Sequence, residues 1–335
     1  MKILIASGLS GQDVGGPAQY GPNLKESFTS LGHSASLVTY SRVERALPVG
    51  LRHIYFALRI IPRAIRADHI LALDTFSVGV PSTIVSRIFR KKLIIRVGGD
   101  FLYSAYINRT SDNLTLPEFY EKIPNLNLKE RLIYKATKTL IKKADFLAFN
   151  TAWQEDIWKR AYRLTEGATG VVRNFVPKRL SGEISGGKRF LWAGRIIPEK
   201  NISMIRRVGE QVGAKYPDFS LDIITNELRE KILEKLRTCY AVVSPALTDI
   251  CPNFIIEGIS FGKPFLVTRE TGLNELYPKG GVYLDPKNEQ EWVREIEKML
   301  EEKVYYDYKR DLTLNTYKHL WSELASDFLN IWKSL

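Results

Sequence analysis

Long apolar runs are missing from this 335-residue chain. No stretch approaches the roughly 18 uninterrupted apolar residues that a membrane-crossing helix needs. Met1 to Ala6 is too short for the apolar core of a signal peptide and reads as a first strand. Cysteine is scarce. Cys239 and Cys251 are the only two, so no disulfide framework is expected and a reducing cytoplasm is the default compartment. The four histidines, His33, His53, His69 and His319, are scattered, and no Asp-x-Asp pair occurs to clamp a metal-bound diphosphate. No metal or other cofactor is therefore expected. The spaced glycine fingerprint of a dinucleotide site is missing too, and no acid ends the second strand at 37–40, which disfavours a dehydrogenase.

What is present is enough to build two domains. The length favours two, and 44% apolar residues supply sizeable cores. Charge is uneven. Residues 1–182 carry a net +13 and residues 183–335 a net −1, within a total of +12. The excess in the first half implies an anionic partner there. Little aromatic interleaving accompanies it, so nucleic acid is not expected.

One stretch organises the rest. Ala241–Ser244 is a short apolar run suited to a buried parallel strand, ended by Pro245. Pro252 suits a first helical turn, and Ile255, Ile256 and Ile259 form a core face at helical spacing. Gly262 stops the helix and Phe265 opens the next strand. In such a unit, ligands sit over the helix N-terminus at the carboxyl ends of the strands. Asp249 and Glu257 are the carboxylates of this region, eight residues apart. A carboxylate suits sugar hydroxyls, and a helix N-terminus suits a diphosphate. Read alone, Asp249 is equally a loop or cap residue and Glu257 a solvated helix residue.

A second motif precedes it. Gly194-Arg195-Ile196-Ile197-Pro198-Glu199-Lys200-Asn201 leads from a strand at 189–193 into a helix at 202–212. Two cations beside a helix N-terminus suit a diphosphate leaving group, although solvated surface cations look the same in sequence.

Together, in this order, the two motifs resemble the signature of retaining family-4 glycosyltransferases of the GT-B fold. The resemblance covers most of the chain and is strongest from Phe190 to Glu275. Asp249 stands where the family has a first Glu, and Asn201 where it has a glycine. The resemblance implies two Rossmann-like domains facing across a cleft, with a final helix crossing back to the first. On that pattern, residues 1–177 form the acceptor-side domain and 178–187 a linker. Residues 188–312 form the nucleotide-sugar domain, and 313–335 the returning helix. Arg195 and Lys200 are expected on the donor diphosphate, with backbone N–H groups near Asn253 and Phe254. Glu257 is expected on the ribose and Asp249 on the donor sugar.

The first half adds weaker signals. A glycine-rich loop follows the first strand, and the resemblance puts Gly15 and Gly16 near the diphosphate and the acceptor. An ordinary strand-to-helix loop reads the same way. Asp100, after Gly98-Gly99, sits at the carboxyl end of the strand at 93–97 and is expected near the acceptor or donor sugar. A turn or cap residue is the plainer reading. Residues 101–124 show no clear period and are expected to be an irregular acceptor-side loop. Leu51–Arg66 is a basic amphipathic helix, with Arg52, Arg59, Arg63 and Arg66 on one side and Ile54, Leu58, Ile61 and Ile65 on another. A solvated face is the common case, and contact with a membrane surface the sharper one. Trp321, Leu324, Phe328 and Trp332 share one helical face, expected to be core.

The implied activity is sugar transfer from a nucleotide-diphosphate sugar to a hydroxyl with retention. The implied acceptor is a glycan or a lipid-linked glycan in surface-polysaccharide assembly. The implied location is cytoplasmic, peripheral on the inner membrane face. A nucleotide-sugar epimerase and a non-catalytic nucleotide-sugar-binding scaffold subunit are the rival classes.

Overall fold

A computed structural model describes residues 1–10, 16–165 and 167–335. The chain divides into two units. One comprises Met1–Ala105, Ile123–Phe175 and His319–Leu335, and the other Tyr106–Lys122 and Val176–Lys318.

The first unit is built on strands β1 (Lys2–Ser7), β2 (Ser34–Thr39), β3 (His69–Ala72), β4 (Lys92–Val97), β5 (Phe146–Phe149) and β6 (Thr169–Val171). All pair in parallel, in the order β2-β1-β3-β4-β5-β6. Such strands are buried on both faces and read as apolar runs, as in Ile3–Ala6 and Leu93–Ile95. The connecting helices are α1 (Tyr20–Ser30), α2 (Arg42–Ala46), α3 (Leu51–Arg66) and α4 (Gly79–Ile88). Next come α5 (Phe101–Thr110), α7 (Leu128–Lys143) and α8 (Ala152–Tyr162), while α6 (Leu116–Glu121), between α5 and α7 in sequence, belongs to the second unit.

Residues 101–124 are thus mostly helical, where their lack of period led to an irregular loop. Local caps and tertiary contacts supply what the period does not. Glu118 accepts a hydrogen bond from the Thr115 N–H, and the Leu116 N–H donates 2.8 Å to Thr248 Oγ1 in the second unit. The division between units falls inside α5.

The second unit has β7 (Lys188–Ala193), β8 (Phe219–Ile224), β9 (Ala241–Ser244), β10 (Phe265–Thr268) and β11 (Gly281–Leu284). They form a parallel sheet in the order β11-β10-β9-β7-β8. Its helices are α9 (Ile202–Gly213), α10 (Arg229–Thr238), α11 (Asn253–Ser260), α12 (Glu289–Met299) and α13 (Glu302–Leu314). The long terminal helical stretch breaks at Asn315, and α14 (Trp321–Ser334) returns to the first unit. There Leu324, Phe328 and Trp332 join Ile3, Ile5, Leu24, Phe28, Leu71 and Ile94 in one core, with Trp321 packed at its margin. The aromatic face of α14 is core, as its spacing predicted. Among the described residues, no helix is long and apolar enough to cross a membrane.

Candidate functional site

Parallel pairing of β7 with β9 and of β9 with β10 brings three loops to one carboxyl edge of the second sheet. The first follows β7. Arg195 is exposed there, and a 3-10 turn at Pro198–Lys200 leads into α9. The turn needs a left-handed residue to close it. Asn201 supplies this at φ 53°, and its Nδ2 donates 2.8 Å to the Pro286 carbonyl. Asn tolerates that backbone region better than other side chains do, which explains why it stands at a position where the resemblance has glycine.

The second loop, after β9, carries Asp249. Its backbone is tied to both neighbouring loops. The Leu247 N–H donates to the Glu199 carbonyl at 2.9 Å, and the Asp249 N–H to the Glu270 carbonyl at 3.1 Å. Held this way, Lys200 Nζ donates 2.7 Å to Asp249 Oδ2, with both side chains largely buried. Burial works to lower the Lys200 pKa, but Asp249 and Glu199 outweigh it and hold the ammonium above its usual value. The site therefore keeps a charged lysine at working pH.

The loop after β9 ends in α11. Pro252 occupies the cap position just before Asn253, one residue earlier than the first helical turn. Ile255, Ile256 and Ile259 are buried, as their spacing predicted. Gly258 fixes how close the helix comes to the sheet, because a Cβ there would lie 2.8 Å from both Val242 methyl groups. Its neighbour Glu257 accepts from Arg229 Nη2 at 2.7 Å. Burial raises the Glu257 pKa and Arg229 pulls against it, with a net upward shift. Sequence reasoning assigned no role to Arg229, which opens α10 with nothing local to mark it. A cavity of about 380 Å³ lies beside the site. It shares Pro198, Asn201 and Leu247 with the loops but is lined by none of Arg195, Lys200, Asp249 or Glu257.

In the first unit, Gly15 lies outside the described residues, and Gly16 begins a 3-10 turn at Gly16–Gln19 ahead of α1. Asp100 is buried at the start of α5. Its Oδ1 accepts from the Tyr103 N–H at 2.9 Å, and its Oδ2 from Trp158 Nε1 at 3.0 Å. Asp74, past the end of β3, is a further carboxyl at this sheet edge. It accepts from the N–H groups of Phe76 and Val78, yet burial pushes its pKa up to about 6. Gly8 lies opposite, where a Cβ would crowd Asp74 Oδ2 at 3.1 Å. The signal that marked Asp100, an acid after a parallel strand, applies equally to Asp74. Among the described residues, no group of three or more His, Cys, Asp or Glu side chains is placed to hold a metal ion.

Several solved structures are similar to this chain over its full length. HepE of Anabaena, in complex with UDP and glucose, matches with a TM-score of 0.69 at 14% identity over 100% of both chains. The fold is that of GT-B glycosyltransferases. Sucrose-phosphate synthase from Thermosynechococcus elongatus matches at 0.69 and 12% identity, over 100% of this chain and 99% of that one. The lipopolysaccharide outer core galactosyltransferase WaaB matches at 0.63 and 13%, again over 100% and 99%. No protein-family model and no curated protein sequence matches the chain.

Proposed function

We propose that this chain is a retaining glycosyltransferase that moves a sugar from a nucleoside-diphosphate sugar to a hydroxyl of a glycan or lipid-linked glycan. The observation that carries the reading is the charged Lys200 held against Asp249, in the same loop as Arg195, at the carboxyl edge of β7 and β9. Arg195 and Lys200 neutralise the charge that builds on the diphosphate as its bond to the anomeric carbon breaks. The N–H groups at the start of α11, at Asn253 and Phe254, add to that field. Pro252 has no N–H to give. The acceptor oxygen bonds the anomeric carbon on the face the diphosphate leaves, and its proton passes to the departing diphosphate oxygen. The protein's task is to position and to stabilise charge. Asp249 holds donor sugar hydroxyls, and Glu257, steadied by Arg229, holds the ribose. Asp100, whose oxygens are engaged by Tyr103 and Trp158, acts by shaping the start of α5 beside the acceptor.

HepE is solved with UDP and with UDP-glucose, so uridine donors are the first to test. The test is thermal stability against UDP-, GDP- and ADP-sugars. A ligand at about 100 times its Kd stabilises by about 2.7 kcal/mol. A selective shift lost in Lys200→Ala supports the reading. Absence of any shift in folded protein overturns the donor site. Binding without transfer to any acceptor favours a scaffold subunit, and turnover of donor alone an epimerase.

A further inference from the structure

Helices α3, α4 and α7 pack side by side in the first unit, α4 against both of the others. They cover the sheet face opposite the core shared by α1 and α14, the face to which Leu4, Ile70, Leu93 and Ile95 point by strand alternation. Helix α3 presents two apolar arcs. Phe56, Ile60 and Ala64 are buried, and a second arc of Leu51, Ile54, Leu58 and Ile65 faces away from the unit. The neighbours continue it, with Ile84 and Ile88 on α4 and Leu128 and Leu132 on α7. These eight side chains are 53% to 76% exposed. A scatter of single exposed aliphatics is ordinary, but a run of them over three adjacent helices marks an interaction surface.

The charge these helices carry is almost all of one sign, although Arg59 pairs with Glu44 and Arg87 lies 3.7 Å from Asp145, both from neighbouring elements. The three helices hold eleven Lys and Arg and one acid, Glu130, which is buried as part of a cap. On α7, helical spacing sets Lys135 and Lys142 on the same side as Leu128 and Leu132. On α4, Arg87 flanks Ile84, with its guanidinium donating to the Lys143 carbonyl at the end of α7.

We propose that the outer face of α3, α4 and α7 docks on an anionic phospholipid bilayer. The aliphatic side chains enter the acyl boundary, and the lysines and arginines reach lipid phosphates along its rim. Each alternative occupant meets a physical objection. A second copy of the chain would bring two strongly basic faces together. A nucleic acid would find aliphatic side chains where stacking rings are needed. The proposal stands on the surface of the first unit alone and does not need the donor chemistry.

The test is sedimentation of the full chain with vesicles of phosphatidylcholine, or of phosphatidylcholine containing phosphatidylglycerol. Wild type is expected to partition at least about tenfold more strongly onto the anionic vesicles, and to be released as salt rises. Ile84→Ser with Ile88→Ser, and separately Lys135→Glu with Lys142→Glu, should each weaken that partition by about tenfold. Both pairs are exposed, so the melting temperature and the shift given by a nucleotide should stay as in wild type. That second readout separates failure here from failure of the donor site. Equal binding to both vesicle types, no binding, or Ser variants that bind like wild type would overturn the proposal. A concentration-dependent dimer abolished by the Ser pair, without vesicle binding, would assign the face to a second copy.

Discussion

The two units carry their charge in different ways. In the second, whose half of the chain is nearly neutral, cations and acids meet as close pairs. Lys200 meets Asp249 and Arg229 meets Glu257 at the sheet edge, while Arg207 on α9 and Lys215 just past its end pair with Glu289 and Glu297 on α12. In the first, the outer helices hold cations with scarcely an acid among them, interleaved with exposed aliphatic residues. Paired charge in a partly buried loop prepares a site for one ligand of defined shape. A broad surface with cations in large excess suits a partner that is itself broad and of opposite sign. The same residue types serve opposite ends because burial differs.

The comparison breaks most sharply at Lys200. Lys200→Ala should lower kcat by about 10²–10³, the usual loss when one electrostatic stabiliser of a leaving group is removed. Steady-state rates with the donor found by thermal shift check this, with the melting temperature as control. Wild-type rates would remove the diphosphate role. The same assay on Ile84→Ser with Ile88→Ser, using a water-soluble acceptor, should give unchanged kcat. The next largest effect concerns stability. Phe328→Ala, in the core that α14 completes, should cost about 3–5 kcal/mol by denaturant unfolding. A loss below about 1 kcal/mol would mean that α14 does not help to hold the first unit together.

Glu257 sharpens the comparison with a smaller effect. Glu257→Gln should raise the donor KM about tenfold with little change in kcat, since a ribose contact is made equally in ground and transition states. A fall in kcat at constant KM would place Glu257 in the chemistry instead. The smallest effect is on pH dependence. Lys263 is buried, with its Nζ donating to the Glu183 carbonyl, and burial brings its pKa down to about 8. The folded state therefore prefers the neutral amine. Between pH 8 and the ordinary lysine value the unfolded chain binds more protons, so stability rises with pH there. Buried Cys239, its pKa pushed up to about 11, works the other way, so the contribution is read as a difference: the melting temperature of wild type minus that of Lys263→Met should climb over that range.

Much of this was legible in the sequence because it is local. The limits of α3 and α7 follow from period and flanking residues, and the parallel strands follow from short apolar runs. The order of the two loop motifs pointed to one edge of one sheet. Residues 101–124 were not legible. Their helices depend on the Thr115–Glu118 cap and on the hydrogen bond from the Leu116 N–H to the Thr248 hydroxyl, 132 positions away. Arg229 carries no local mark either, and only folding brings it to Glu257.

Sequence alone determined that α3 is a basic helix with an apolar side at Ile54, Leu58, Ile61 and Ile65, and that the first half is basic. Which arc meets the sheet was decided by tertiary structure. A period of 3.6 residues places Ile54, Leu58 and Ile65 together, and Phe56, Ile60 and Ala64 together, without ranking the two sets. The sheet ranks them. The Phe56, Ile60 and Ala64 arc is fully enclosed against it, and the longer aliphatic arc is left at the surface.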